Sequence, residues 1–203
     1  MRRIPYEDRC DQCRLNKKSC VCAAIPKLQI KNFVSIILHV KELKLTSNTA
    51  HFIEKSLPNH SHCFVRGRMN EVFDAKTIMR EDHLPIYLFP HENSVELADF
   101  IQRHPGQRFN LIVPDGSWSQ ARKVYAREPY LKDVTCVKIS GVGESQYYLR
   151  RAPHPGMLST FEAIAQALKV LEGEETYLQL DNFFKHFVAT VLKSRNEFEA
   201  INK

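Results

Sequence analysis

Two groups of residues have types and spacings suited to chemistry. The first is a cysteine cluster, Cys10-x2-Cys13-x6-Cys20-x-Cys22, which holds four of the six cysteines within thirteen residues. The segment is short, polar and basic, so core packing does not explain clustered thiols there. Four thiolates complete the tetrahedral shell of Zn²⁺, which would tie such a loop into a fixed shape. A redox pair, or separate surface thiols, is the alternative. Cys63 and Cys136 stand alone in apolar runs and read as buried, inert thiols. The second group is Asp115-Gly116-Ser117-Trp118, which carries the only tryptophan and directly follows Pro114. Asp-Gly after proline is a turn, and the aspartate can cap the following helix. In a ligand cleft the same carboxylate could accept a proton, with Trp118 walling off a flat ring. The residues alone leave both open.

These groups need elements to position them. Phe33–His39, His62–Arg66, Ile86–Phe89, Phe109–Val113 and Val134–Ile139 read as short strands. Between them, helices are expected at Thr49–Leu57 (capped by Asn48), weakly at Glu71–Met79, at Val95–Arg103 (capped by Ser94) and at Trp118–Arg127. Ser159 and Glu162 form a capping box opening a helix to Leu171, and a last helix runs over Tyr177–Glu199. Strand–helix alternation predicts an α/β sheet with helices on both faces. Ligands of such sheets bind beyond the carboxyl ends of the strands. Three polar loops fall there, after His39, after Val113 and after Ile139. The organisation expected is a knuckle over residues 1–31 and a catalytic domain over residues 32–203.

Composition narrows the partners. The chain has 203 residues, 29 Lys+Arg and 23 Asp+Glu, a net charge of +6. Residues 1–31 hold eight of the basic residues against three acids, so the basic excess lies almost entirely in that segment. A basic end on a near-neutral body suits a polyanion such as RNA. The seven glycines form neither G-x-G-x-x-G nor a P-loop, which argues against phosphate-turn nucleotide binding. The N-terminus lacks an apolar signal core, and Phe33–Leu38 is too short to span a bilayer, so a cytoplasmic, non-membrane protein is expected. Basic residues outside the knuckle that could meet phosphate are Arg66, Arg68, Arg122, Lys123, Arg127, Arg150 and Arg151; Arg122, Lys123 and Arg127 share one helix. A solvated helix face is the plain alternative.

The motifs together resemble the DTW-domain family of tRNA-uridine aminocarboxypropyltransferases. Asp115-Gly116-Ser117-Trp118 matches D-x-[ST]-W. His39-x-x-Glu42 and Ser47-Asn48-Thr49 match H-P-x-E…N-T, with Val40 in place of the proline. Tyr147-Tyr148-Leu149-Arg150 and Leu158-Ser159-Thr160-x-Glu162-Ala163 match Y-x-x-R…L-S-T-x-E-A, and the four cysteines match the N-terminal knuckle. The resemblance implies a SPOUT-like, knotted α/β fold that holds S-adenosylmethionine largely through backbone. It also implies transfer of the 3-amino-3-carboxypropyl group to N3 of a tRNA uridine, that of the variable loop in similar bacterial members, with release of methylthioadenosine. On that basis Asp115 is the candidate general base. Ser117, Trp118, Ile139, Ser140, Leu158, Ser159 and Thr160 are candidates to cradle the donor. Arg150 would hold the donor's carboxylate, or else a phosphate or a surface ion pair. Arg122, Lys123, Arg127 and Arg151 are candidate RNA contacts, while Glu162 reads as a cap rather than a catalytic group. The protein is expected to act as a monomer. A SPOUT-type RNA methyltransferase and a non-enzymatic zinc RNA-binding protein are the competing readings.

Overall fold

The computed structural model describes residues 6–43, 45, 47–147 and 157–201, apart from the side chains of Tyr6, Trp118 and residues 195–201. Arg150 and Arg151 lie outside these residues. Six strands, β1 (Phe33–His39), β2 (Ser61–Arg66), β3 (Leu84–Leu88), β4 (Val95–Glu96), β5 (Phe109–Asp115) and β6 (Thr135–Lys138), form one sheet among the described residues in the order β2-β1-β5-β3-β6-β4. Every pairing is parallel. A parallel sheet is covered on both faces, which is why β1 is a nearly continuous apolar run whose first six residues are buried.

The helices are α1 (Ala50–Ser56), α2 (Leu97–Gln102), α3 (Trp118–Arg127), α4 (Thr160–Glu172) and α5 (Glu174–Ile201). Two cores flank the sheet. Phe52, Phe100, Ile164, Leu168, Phe183 and Phe187 fill the larger one, so α1, α2, α4 and α5 share a face. Ala121 and Val124 of α3, with Ile78 and Leu131 from short 3-10 turns, fill the smaller one. The expectation of helices on both faces holds, unevenly.

Several expected elements differ in detail. The helix expected over 71–79 is only a 3-10 turn at Ala75–Ile78, started by Asp74, whose side chain accepts from the Lys76 N–H. The helix expected from Val95 starts two residues later, because Val95 and Glu96 pair with Val137 and Lys138 as an edge strand. Ser94 therefore does not cap it; its hydroxyl donates to the His91 carbonyl at 2.8 Å. Asn48 does not cap α1 either, because its side chain is used elsewhere.

The cysteine segment is a tight hairpin docked on the larger core. The Cys10 N–H donates to the Leu15 carbonyl at 2.7 Å, and the Arg14 N–H donates to the Cys10 carbonyl at 2.8 Å. Arg14 adopts a left-handed φ of 63° to close that turn. Cys13, Val21, Ile25, Leu28 and Ile30 belong to the same cluster as α1 and α5, so the knuckle shares the core of the sheet domain.

Candidate functional site

Asp115 ends β5, the strand between β1 and β3. The residue is buried, 8% exposed. Oδ1 accepts from Thr160 Oγ1 at 2.5 Å and Oδ2 accepts from Asn48 Nδ2 at 2.5 Å. Thr160 is the first residue of α4, and Asn48 lies just before α1. Three segments far apart in the chain thus meet at one carboxylate. A fourth joins them: the Tyr147 hydroxyl donates to the Ser47 carbonyl at 2.5 Å, beside Asn48. Tyr147 is itself buried against Phe184 of α5, with ring centroids 5.7 Å apart.

Beside Asp115 opens a cleft of about 160 Å³ beyond the carboxyl ends of β3, β5 and β6. Leu88, Phe89 and Pro90 at the end of β3 and Val113, Pro114 and Gly116 around the end of β5 line it. Lys138, Ile139 and Val142 after β6, Leu158, Thr160 and Ala163 at the start of α4, and Ala121 line it too. The lining is mostly apolar, so it suits a flat or aliphatic group. Pro114, Gly116 and Thr160, next to Asp115 in the chain or bonded to it, belong to that lining, while Asp115 itself lines a smaller pocket with His39, Arg66 and Gln120.

Of the residues expected around a ligand, Ile139, Leu158 and Thr160 line this cleft. Ser117 and Ser159 serve as helix caps. Each makes a complete capping box, Ser117 with Gln120 and Ser159 with Glu162. Ser140 is engaged by Glu96, which accepts from its N–H at 3.1 Å and from its hydroxyl at 2.5 Å. Glu162 also accepts from Ser145 Oγ and from the Gln146 N–H, both at 2.7 Å, so one carboxylate caps α4 and pins the chain that follows β6. This bears out its reading as a cap. A Cβ at Gly116 would stand 2.8 Å from Gln120 Oε1, which accepts from the Ser117 N–H, so the glutamine side chain would have to swing aside.

Arg122, Lys123 and Arg127 are exposed on α3. Arg66 is occupied, its Nε donating to the buried Glu128 at 2.7 Å, and Arg68 faces Glu71 at 3.4 Å. The site contacts missed in the sequence are those of Asn48, read there only as a helix cap, of Tyr147, inside a motif stretch without an expected role, and of Glu96. An asparagine directly before a short helix reads as a cap, and nothing local reveals that its amide reaches β5.

The four clustered cysteines bring their sulfurs within 4.8 Å of one another. Cys10 and Cys22 are 3.6 Å apart, Cys10 and Cys20 3.6 Å, and Cys13 and Cys20 3.8 Å. A tetrahedral shell of four thiolates at about 2.3 Å from an ion has edges of about 3.8 Å. The cluster therefore has the dimensions of a metal site, and all four thiols are free. The backbone N–H groups of Cys13 and Gln12 bring the Cys10 thiol down to about 6, against the opposing effect of burial, so a thiolate is available. Burial pushes Cys13 and Cys22 up. Cys63 and Cys136 are also pushed up by burial, in keeping with inert thiols.

Fold and site together define a parallel α/β protein with a small-ligand cleft at its strand ends and a four-thiol metal-type knuckle. A family model described as the DTW domain matches residues 7–192, and the chain belongs to that family. It is 29% identical over 181 residues to tRNA-uridine aminocarboxypropyltransferase 2 of Drosophila melanogaster, covering 82% of this chain and 67% of that one. It is 31% identical over 169 residues to the protein of the same name from Mus musculus, covering 80% of this chain and 56% of that one. It is 29% identical over 210 residues to tRNA-uridine aminocarboxypropyltransferase A of Arabidopsis thaliana, covering 88% and 79%. No solved structure gives a significant match.

Proposed function

We propose that this protein is a tRNA-uridine aminocarboxypropyltransferase using S-adenosylmethionine as donor. The observation that carries the proposal is the carboxylate of the buried Asp115, oriented by Asn48 and Thr160 beside the apolar cleft. Both bonds are donated to it, so it acts as an acceptor, the role a general base requires. In the reaction the uridine N3 proton passes to Asp115. The N3 electron pair bonds to the donor's terminal side-chain methylene carbon, and that carbon's bond to sulfur breaks, releasing methylthioadenosine. The apolar lining of Leu88, Phe89, Ile139 and Leu158 suits the adenosine, with Trp118 as a further wall and Arg150 for the donor's carboxylate. Backbone near Ser117, Ser140, Ser159 and Thr160 completes the cradle. Exposed Arg122, Lys123 and Arg127, with Arg151, would meet tRNA phosphates. The names of the relatives support both substrate and reaction.

Finer assignments belong to the same proposal. Cys10, Cys13, Cys20 and Cys22 hold a structural Zn²⁺, which the thiol spacing fits and which would fix the knuckle's shape. The sheet belongs to the SPOUT class with a knotted ligand loop, divided as residues 1–31 and 32–203, and the protein works in the cytoplasm as a monomer on a variable-loop uridine. The test is incubation of purified protein with donor and unmodified tRNA, followed by nucleoside mass spectrometry. The expected result is aminocarboxypropyl-uridine with methylthioadenosine; a methylated uridine would overturn it.

A further inference from the structure

The short helix α1 has an unusual support. It is seven residues long, and its N-cap Thr49 makes no side-chain capping bond. The residue before it, Asn48, has the right chemistry for a cap, but its amide is spent on Asp115 and its buried Oδ1 has no partner. A helix of this length does not hold itself together. Its outer side is held by the cysteine knuckle and the strap that follows. Lys55 donates to Gln12, between Cys10 and Cys13. Lys27 Nζ donates to the Lys55 carbonyl at 2.6 Å, and the Leu28 N–H to the Ser56 carbonyl at 2.9 Å. His51, the second residue of α1, is buried with the backbone of Asn48 and of Cys13 both near its ring. Neither ring nitrogen makes a hydrogen bond of normal geometry, so the ring fills space beside the knuckle and the Asn48 turn. On its inner side, Phe52 packs on Phe183 and Phe187 of α5, with centroids 5.1 and 4.8 Å apart.

We infer that the metal knuckle is a brace for the Asp115 carboxylate: Cys13 sets His51, His51 sets the start of α1, and the start of α1 holds Asn48 against Asp115. Asn48 and His51 are then positioning residues, and the knuckle contributes to turnover more than to tRNA affinity. This rests on the function proposed above.

Hydrogen exchange tests the brace without reference to activity. Removing the metal with a chelator should speed exchange of the amides of Ala50–Ser56 by about tenfold, while α4 changes less. On metal-loaded protein, His51→Ala should lower kcat by up to about tenfold with the metal retained, since it costs no more than the Asn48 bond that it positions. His51→Phe, which keeps that space filled, should restore the exchange pattern and most of kcat, with tRNA Kd near the wild-type value in both variants. If chelation melts the whole chain, the two His51 variants, measured with metal bound, decide alone. The inference is overturned if metal loss weakens tRNA binding while α1 exchange stays unchanged, or if His51→Ala leaves both kcat and α1 exchange intact. If metal-loaded wild type forms no product, the functional reading fails, and the exchange arms still decide the brace.

Discussion

Asp115 receives its two identified hydrogen bonds from side chains that sequence reading assigns to other duties. Thr160 looks like a helix-start residue near a donor's adenosine, yet its hydroxyl points at the carboxylate. Asn48 looks like a cap, which would use its amide oxygen, yet the amide nitrogen does the work and the oxygen has no partner. Asparagine carries a donor and an acceptor on one small group, so its type does not say which is used. Replacing Asp115 by Asn, which cannot take the proton, should cut single-turnover product formation by about 100-fold or more, with donor binding by calorimetry retained. Asn48→Ala should lower kcat by about tenfold while donor KM changes little, since one orienting bond of about 1–3 kcal/mol is lost in the site.

At the scale of elements, the helix starts matter most. α3 and α4 both open with complete capping boxes, and both boxes lie at the cleft. Ser159→Ala should cost about 1 kcal/mol in denaturant unfolding, because the Glu162 N–H loses its acceptor. Gly116→Ala should destabilise by less, under about 1 kcal/mol, since the new Cβ moves only the Gln120 side chain and the Ser117 hydroxyl still accepts from the Gln120 N–H. Five of the strands and the helices α3, α4 and α5 were legible because periodic apolar residues and, for α4, the Ser159–Glu162 box are local signals. The stretch at Val95–Glu96 was misread because its apolar spacing fits a helix equally well. Only the pairing with β6 makes it a strand. That pairing also lets Glu96 hold Ser140, a link between residues 44 apart in the chain. The weak apolar spacing over 71–79 failed for a related reason: Asp74 starts a 3-10 turn there, and Met79 leaves it in an extended conformation.

For the whole molecule, the basic N-terminal segment first suggested an arm that grips RNA. The knuckle instead shares the sheet domain's core through Cys13, Val21 and Ile25, so its shape matters to the fold as well as to any partner. Metal analysis of protein purified without chelator should find about one zinc per chain, and chelation should lower Tm. Well under one equivalent would remove zinc from the site. By itself, the sequence determined the chemistry on offer: four thiols at metal spacing, one aspartate in a turn, the capping box of α4, and the run of strands and helices between them. These follow from residue type and near-neighbour spacing, which act over a few residues. The tertiary structure alone decided the strand order that sets β5 between β1 and β3, and with it the meeting of Ser47-Asn48, Asp115, Tyr147 and Thr160. Sheet order arises from which long-range pairings bury the apolar faces together, and no local pattern encodes which distant side chain will stand across the cleft.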